Sequence, residues 1–269
     1  MSRKDREGLH LPADLKEMLK GYSKRSIWHS YVADVWKCIE PEGSSVYYLK
    51  RHKIKSCHDS VKECEVINWL QGKLSVPSVK CFARDGKYYY LLLTEKPGIP
   101  AHRLIRRYSP EEMIRILVPA MREMHSLPFS GCPFDEGLTA KLKRIRHNIE
   151  HNFIRKDIYN PKSRRDALKD LDYLQSHTPG QEDLVFTHGD FCLPNFLLED
   201  GKVTAYLDLG EAGPCDRYMD ISTFAITLCY NYKRYDNFLH YCRLIFAEYG
   251  IADPDWSKLH YYHLINEML

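Results

Sequence analysis

The spacing of apolar residues changes at about residue 95, and this change constrains the fold more than any other feature. Before that point, strand-like alternation and turn dipeptides dominate the sequence. The predicted elements are a short helix at 13–20, a hairpin within 27–50, a helix at 60–71, and strands at 78–84 and 87–93. The apolar stripe predicted for the longer helix consists of Val61, Cys64, Ile67 and Leu70. We therefore expect four or five antiparallel strands with one inserted helix.

After a linker-like stretch at 94–100, apolar residues recur with helical spacing. Helices are predicted near 110–127, 138–152, 162–177, 217–230, 234–249 and 255–268. The first of these has the strongest start signal, because Ser109 precedes Pro110 and two glutamates. The sequence thus predicts a bilobal α+β protein. A small β-rich lobe over 1–95 would meet a larger, mostly helical lobe over 99–269 at a hinge near 94–98.

Composition narrows the class of protein. The chain has 269 residues, a net charge of +3 and no apolar run long enough to cross a bilayer. Its polar first residues do not resemble a secretory signal, so a cytoplasmic protein without a membrane partner is expected. The small net charge argues against a nucleic-acid partner. Nine cysteines without a Cys-x-x-Cys pair argue against a disulfide framework and a structural zinc site.

Residues 185–220 contain the chemically informative motif. A strand at 184–187 leads to Asp190, and a hairpin follows Asn195 and ends near Asp208. All three side chains would then lie at strand ends that face one small volume. Asn195 and Asp208 are oxygen donors of the kind that Mg²⁺ prefers, and Asp190 could accept a hydroxyl proton. Phosphoryl transfer uses this division of roles, and a metal-assisted hydrolase could use it as well.

The same motif resembles the signature of the aminoglycoside phosphotransferase family, which has the protein-kinase fold. The match consists of His188-Gly189-Asp190, Asn195, Leu207-Asp208-Leu209-Gly210, Asp216 and Asp220. Weaker matches to the 3′-phosphotransferase branch are Tyr48-Leu49-Lys50, the run WLQGKLSVP at 69–77, Met124-His125-Ser126, and the ending from Asp255-Trp256-Ser257-Lys258 to Leu269. The similarity extends over nearly the whole chain.

The resemblance implies roles for individual residues. Asp190 would be the base that positions the substrate hydroxyl, and Asn195 and Asp208 would bind Mg²⁺. Lys50 would hold the α- and β-phosphates of ATP or GTP and would pair with Glu63. The remaining nucleotide contacts would come from Tyr48 against the adenine, backbone groups of Thr94 to Lys96, and the loop that begins at Ser30. That loop, at 30–35, contains no glycine, and the chain also lacks a Walker A sequence.

The resemblance also implies a small-molecule substrate with a hydroxyl group, most specifically the 3′-hydroxyl of an aminoglycoside, with antibiotic resistance as the outcome. Aminoglycosides are polycations and need carboxylates around them. The carboxylates expected to serve are those of Asp157, Glu211, Glu267 and the terminal residue Leu269. Residues 140–170, however, carry ten Lys or Arg against four Asp or Glu. A less cationic alcohol and a catalytically inactive nucleotide-binding protein therefore remain alternatives, and a monomer and a homodimer are both compatible with the sequence.

Overall fold

A computed structural model describes residues 9–30, 33–54, 59–154, 161 and 163–269 of the chain. The chain divides into two compact units. The first contains Met1–Asn68 and Pro77–Glu95, and the second contains Trp69–Val76 and Lys96–Leu269.

The first unit is built on an antiparallel sheet of five strands in the order β1-β2-β3-β5-β4. Its elements are α1 (Ala13–Met18), β1 (Ser23–His29), β2 (Ala33–Ile39), β3 (Val46–Lys53), β4 (Val79–Arg84) and β5 (Tyr88–Thr94), with α2 (Ser60–Leu70) inserted between β3 and β4. Its core contains Leu15, Leu19, Cys38, Leu49, Tyr88, Tyr90 and Leu92. The predicted sheet with one inserted helix is confirmed.

Two details of this unit differ from the prediction. The hairpin predicted within 27–50 needs a single strand before its turn, but residues 27–39 contain the end of β1 and all of β2, because the chain reverses after Ser30. The reversal is closed by Ser30, whose backbone N–H and hydroxyl both donate to the carbonyl of Ala33 at 2.9 and 3.0 Å.

The predicted apolar stripe of α2 is also wrong at its start. Val61 is 38% exposed, whereas Glu63 is 1% exposed. The buried face is formed by Glu63, Val66, Ile67 and Leu70, which have the helical spacing i, i+3, i+4 and i+7. The helix is rotated so that the Glu63 carboxylate faces the interior. A buried carboxylate requires a cationic partner, and Lys50 of β3 is that partner.

The second unit is mostly helical. Its helices are α3 (Pro110–His125), α4 (Leu138–Glu150), α5 (Arg164–Ser176), α6 (Tyr218–Tyr232), α7 (Phe238–Tyr249) and α8 (Trp256–Met268). Helix α3 begins with a capping box, in which the Ser109 hydroxyl accepts from the Glu112 N–H and the Glu112 carboxylate accepts from the Ser109 N–H. Helix α6 contacts α7 and α8, α3 contacts α7, and α4 contacts α5. All six predicted helices are present.

Two small antiparallel sheets in this unit position the motif at 185–220. Strand β7 (Leu184–Thr187) pairs with β10 (Gly213–Asp216), and β8 (Phe196–Glu199) pairs with β9 (Lys202–Tyr206) and with β6 (Ile99–Pro100). The hairpin β8–β9 and strand β7 agree with the sequence prediction, whereas β6 and β10 were not predicted. Among the described residues, no helix is both long and apolar enough to cross a bilayer.

Candidate active site

The loop after β7 contains the first of the predicted catalytic residues. His188 and Gly189 are buried, and Asp190 is half-buried. Gly189 has φ +79°, and a Cβ built on it would lie 2.2 Å from the backbone oxygen of Glu211. Only glycine fits a position with this backbone conformation and so close a neighbour. The glycine therefore lets the loop of Asp190 pack directly against the segment that follows Asp208.

Asn195 holds Asp190 in place. It ends a short 3₁₀ turn, Leu193–Asn195, and is buried. Its Nδ2 donates to the carboxylate Oδ2 and to the backbone oxygen of Asp190, both at 3.0 Å. Its backbone oxygen accepts from the N–H of Leu207 at 2.8 Å, which fixes it to the end of β9. These bonds occupy the donor end of the amide, so the group that Asn195 can still offer to a ligand is its oxygen.

Asp208 lies two residues beyond β9 and is exposed. Its φ is +55°, which is uncommon outside glycine and is tolerated by Asp because of its short polar side chain. Burial raises the pKa of the Asp190 carboxyl above its ordinary value, and the nearby charge of Asp208 raises it further. The structure therefore brings Asp190, Asn195 and Asp208 together, as the strand-end argument predicted.

A buried carboxylate whose function the sequence did not reveal supports this loop. Asp220 of α6 is fully buried and accepts from the N–H groups of His188 and Gly189 at 2.7 and 2.8 Å, and from Nε2 of His125 at 3.0 Å. Although burial alone would raise its pKa, the hydrogen bonds and the charge of His125 hold it below the usual value. The only sequence signal was the spacing of Asp220 from Asp208, which does not identify its partners.

His188 connects the two loops. Its Nε2 lies 2.9 Å from the carbonyl oxygen of Leu207, and its Nδ1 accepts from the N–H of Asp190 at 3.3 Å. A carbonyl can only accept, so these partners assign the ring proton to Nε2. The imidazole thereby links the residue before Asp208 to Asp190 itself.

In the first unit, Lys50 and Glu63 form an ion pair. The Lys50 Nζ lies 2.7 Å from Oε1 of Glu63, and the two side chains are 10% and 1% exposed. Tyr48, two residues before Lys50 on β3, is half-buried, and its hydroxyl donates a hydrogen bond to the Glu95 carboxylate at 3.3 Å. The pairing of Lys50 with Glu63, first inferred from the resemblance, is therefore present in the structure.

The other predicted nucleotide residues have local roles. Thr94 ends β5, and its hydroxyl accepts from the N–H of Ser78 at 2.9 Å. Lys96 is half-buried and belongs to the second unit. Ser30 closes the β1–β2 reversal described above, and the two residues after it lie outside the described part of the chain.

The predicted substrate carboxylates are partly engaged with other side chains. Glu211 forms a close ion pair with Arg144 of α4. Glu267 lies 3.5 Å from Nε2 of His263, and the backbone oxygen of Leu269 accepts from Asn148 at 3.0 Å. Asp157 lies outside the described residues.

Arg144 also belongs to a buried charge network that the sequence did not predict. Its guanidinium lies 3.2 Å from Oε2 of Glu136, and Nζ of the fully buried Lys141 lies 3.0 Å from the same atom. Glu136 is 4% exposed. Two of the ten cations in residues 140–170 are therefore directed inward.

Comparison with known proteins identifies the class. The fold is shared with the aminoglycoside phosphotransferase APH(3″)-Id from Streptomyces rimosus, solved with ADP and streptomycin, which superposes with a TM-score of 0.74. That match has 23% identity and covers 94% of this chain and 95% of the other, and it confirms the predicted α+β fold.

Sequence comparison gives the family. The model of the APH phosphotransferase enzyme family matches residues 25–262. Aminoglycoside 3′-phosphotransferases of Enterococcus faecalis and Staphylococcus aureus are each 32% identical to this chain, over 78% and 88% of it and over 79% and 89% of their own lengths. The chain therefore belongs to the APH family of phosphotransferases and is a kinase that acts on hydroxyl groups of small molecules.

Proposed function

We propose that this enzyme transfers the γ-phosphate of ATP to the 3′-hydroxyl of an aminoglycoside and thereby gives resistance to it. The observation that carries the proposal is the half-buried carboxylate of Asp190, held by Asn195 beside Asp208. The names of the relatives support the choice of acceptor, and the ADP bound to the Streptomyces rimosus enzyme supports ATP as donor.

Asp190 would accept the hydrogen bond of the acceptor hydroxyl and take its proton as the phosphoryl group is transferred. The two hydrogen bonds from Asn195 Nδ2 fix the orientation of this carboxylate before the substrate arrives. Such positioning, together with charge neutralisation, supplies most of the rate in phosphoryl transfer, and no covalent enzyme intermediate is needed.

The donor set at Asn195 and Asp208 fits Mg²⁺. An amide oxygen and a carboxylate are hard oxygen ligands, and Mg²⁺ commonly takes one or two such groups together with phosphate oxygens and water. The mutual repulsion of Asp190 and Asp208 also favours a divalent cation near them. When bound, Mg²⁺ would neutralise phosphate charge. Asn195 and Asp208 would hold it.

Most of the nucleotide contacts would come from residues of the first unit. Lys50, held by Glu63, would bind the α- and β-phosphates as a fixed positive charge. The Tyr48 ring would stack on the adenine. Backbone groups from Thr94 to Lys96 would bind the edge of the base, and the reversal that begins at Ser30 would cover the phosphates.

The acceptor would be held by the remaining carboxylates. Asp157 and Glu267 would each attract an ammonium group. Glu211 attracts a further cation less strongly, because its charge is already balanced by a close ion pair with Arg144. This occupied carboxylate is the observation that favours a second candidate acceptor, a less cationic alcohol.

The test is an ADP-release assay with Mg²⁺ and ATP, with GTP in a parallel arm, against kanamycin, neomycin and a 3′-deoxy aminoglycoside. Turnover of the first two and not of the third is the expected result. Turnover of the 3′-deoxy compound would contradict the 3′-hydroxyl as the site of phosphorylation. If no aminoglycoside releases ADP above the level of an Asp190→Ala control, the acceptor is wrong and less cationic alcohols become the substrates to test.

A further inference from the structure

Glu211 is placed beside the reacting groups by the backbone. It follows Asp208 by three residues, and its Cβ lies 2.8 Å from the position that a Cβ of Gly189 would occupy, next to Asp190. Its side chain therefore starts beside the loop that carries Asp190. The side chain is 29% exposed, although its Oε2, which faces Arg144, is buried.

The charge of Glu211 is already balanced. Arg144 bridges Glu211 and Glu136, and Lys141 pairs with Glu136. Two cations thus face two carboxylates, and the cluster has no net charge. Although burial opposes the charged form of Arg144, Glu211 and Glu136 raise the pKa of its guanidinium above the ordinary value. Arg144 consequently keeps its charge at every pH at which the enzyme would work.

An ammonium group of an acceptor must displace this guanidinium to pair with Oε2 of Glu211, and at the other oxygen it meets a carboxylate whose charge Arg144 already balances. Arg144 is 24% exposed and contacts Glu136 as well, so it can stay bonded to Glu136 after releasing Glu211. Exchanging the guanidinium for an ammonium group replaces one ion pair by another, so it adds little binding free energy. An ammonium group that met an unpaired carboxylate would form an additional ion pair and would bind more tightly.

We propose that Arg144 is a specificity-determining residue that competes with cationic acceptors for Glu211 and so weakens the binding of polycations relative to acceptors with fewer ammonium groups. The inference rests on the proposed function, because it concerns the acceptor end of the same site. It assigns to Arg144 an effect on acceptor affinity and none on the phosphoryl-transfer step.

The experiment compares Arg144→Gln with the wild type by calorimetric binding of kanamycin and by steady-state kinetics with ATP. Arg144→Gln should lower the Kd and the KM for kanamycin by about threefold to tenfold, with kcat and the KM for ATP unchanged. The gain should shrink at high salt, because it depends on an exposed charge pair. The double variant Arg144→Gln/Glu211→Gln should lose the gain.

Arg146→Gln is the matched control. Arg146 lies on the same helix and has the same charge, but its guanidinium contacts Gln175 and Asp172. This variant should leave the kanamycin Kd within about twofold of wild type, since distant exposed charges are screened. An equal gain in both variants would mean a general charge effect and would overturn the proposal.

Unchanged or weaker kanamycin binding by folded Arg144→Gln would also overturn it. If that variant does not fold, Arg144→Lys is measured instead, because a single ammonium group cannot bridge two carboxylates as a guanidinium does. A smaller gain in kanamycin affinity is then expected, and no gain would contradict the proposal. Binding needs no turnover. A wild type that binds kanamycin without releasing ADP would therefore refute the proposed function, while the comparison of Kd values would still decide about Arg144.

Discussion

Nδ2 of Asn195 donates to both the carboxylate and the backbone oxygen of Asp190, each at 3.0 Å. One amide thus fixes the position and the orientation of the proposed base. The amide can do this because its own backbone is bonded to Leu207 at the end of β9. The geometry of the base is therefore set by the hairpin that also presents Asp208.

Replacing the base should remove turnover without removing the fold. Asp190→Ala should lower kcat by about a thousandfold or more, because a general base and its positioning of the hydroxyl are both lost, while ATP binding by calorimetry is retained. Asp236→Ala, at an exposed surface position, is the control. A variant that keeps most of its kcat would exclude Asp190 as the base.

The same substitution changes how stability depends on pH. The pKa of Asp190 is raised in the folded protein, so the proton is held more tightly than in the unfolded chain. The resulting stability is present below the unfolded pKa and is lost as pH rises through the folded pKa. In metal-free buffer, the free energy of unfolding of Asp190→Ala should therefore increase relative to that of wild type as the pH rises through the folded pKa of Asp190. Urea unfolding across pH measures the difference.

Metal dependence should follow the two proposed ligands. Chelation should abolish ADP release, and Mg²⁺ should restore it. Asp208→Asn keeps the shape but removes a charge, and we expect the half-saturating Mg²⁺ concentration to rise by about tenfold or more. Glu199→Gln, at an exposed end of β8, should not change it. An unchanged Mg²⁺ requirement in Asp208→Asn would remove Asp208 from the metal site.

The buried pair of Lys50 and Glu63 should matter for the nucleotide and not for the acceptor. Glu63→Gln leaves the Lys50 charge buried with a weaker partner, so we expect a loss of about 2 to 4 kcal/mol of stability. The kcat/KM for ATP should fall by at least about tenfold, with the acceptor KM unchanged. Glu65→Gln, exposed on the same helix, is the control. Equal losses in the two variants would contradict the role of the pair.

Asp220 should be essential for stability. Asp220→Ala leaves the N–H groups of His188 and Gly189 buried without their acceptor, which should cost about 3 to 5 kcal/mol. In the wild type the pKa of Asp220 is lowered by folding, so its stabilisation is present above the unfolded pKa and is lost as pH falls through the folded value. Urea unfolding between pH 3 and 7 (about the range of carboxylate titration) should show a larger loss in wild type than in the variant, in which Asp85, Glu111 and Asp255 still have lowered pKa values. Asp236→Ala, exposed, should behave as wild type.

The sequence predicted features that depend on residues close together in the chain, and it missed features that depend on contacts between distant segments. Helix α3 was predicted because its cap and apolar spacing are local, and Asp190, Asn195 and Asp208 were brought together by one hairpin. Strand β10 was not predicted, because only its pairing with β7 makes Gly213–Asp216 a strand. The pair of Arg144 with Glu211 was missed for the same reason: the charge of residues 140–170 gives no direction to any side chain.

Gly189 offers a test of the contact between the two loops of the site. Gly189 and Gly72 have nearly equal φ, +79° and +76°, but a Cβ on Gly189 would lie 2.2 Å from the Glu211 oxygen, while a Cβ on Gly72 would meet nothing within 4 Å. Both alanine variants should lose about 1 to 2 kcal/mol of stability from backbone strain. Gly189→Ala should in addition displace the loop of Asp190 from that of Glu211 and lower kcat by about a hundredfold or more, whereas Gly72→Ala should keep its kcat. Steady-state kinetics and urea unfolding of both variants separate the two effects. Equal kcat values would show that the close packing of Gly189 against Glu211 is not needed for the reaction, and only the strain common to both positions would remain.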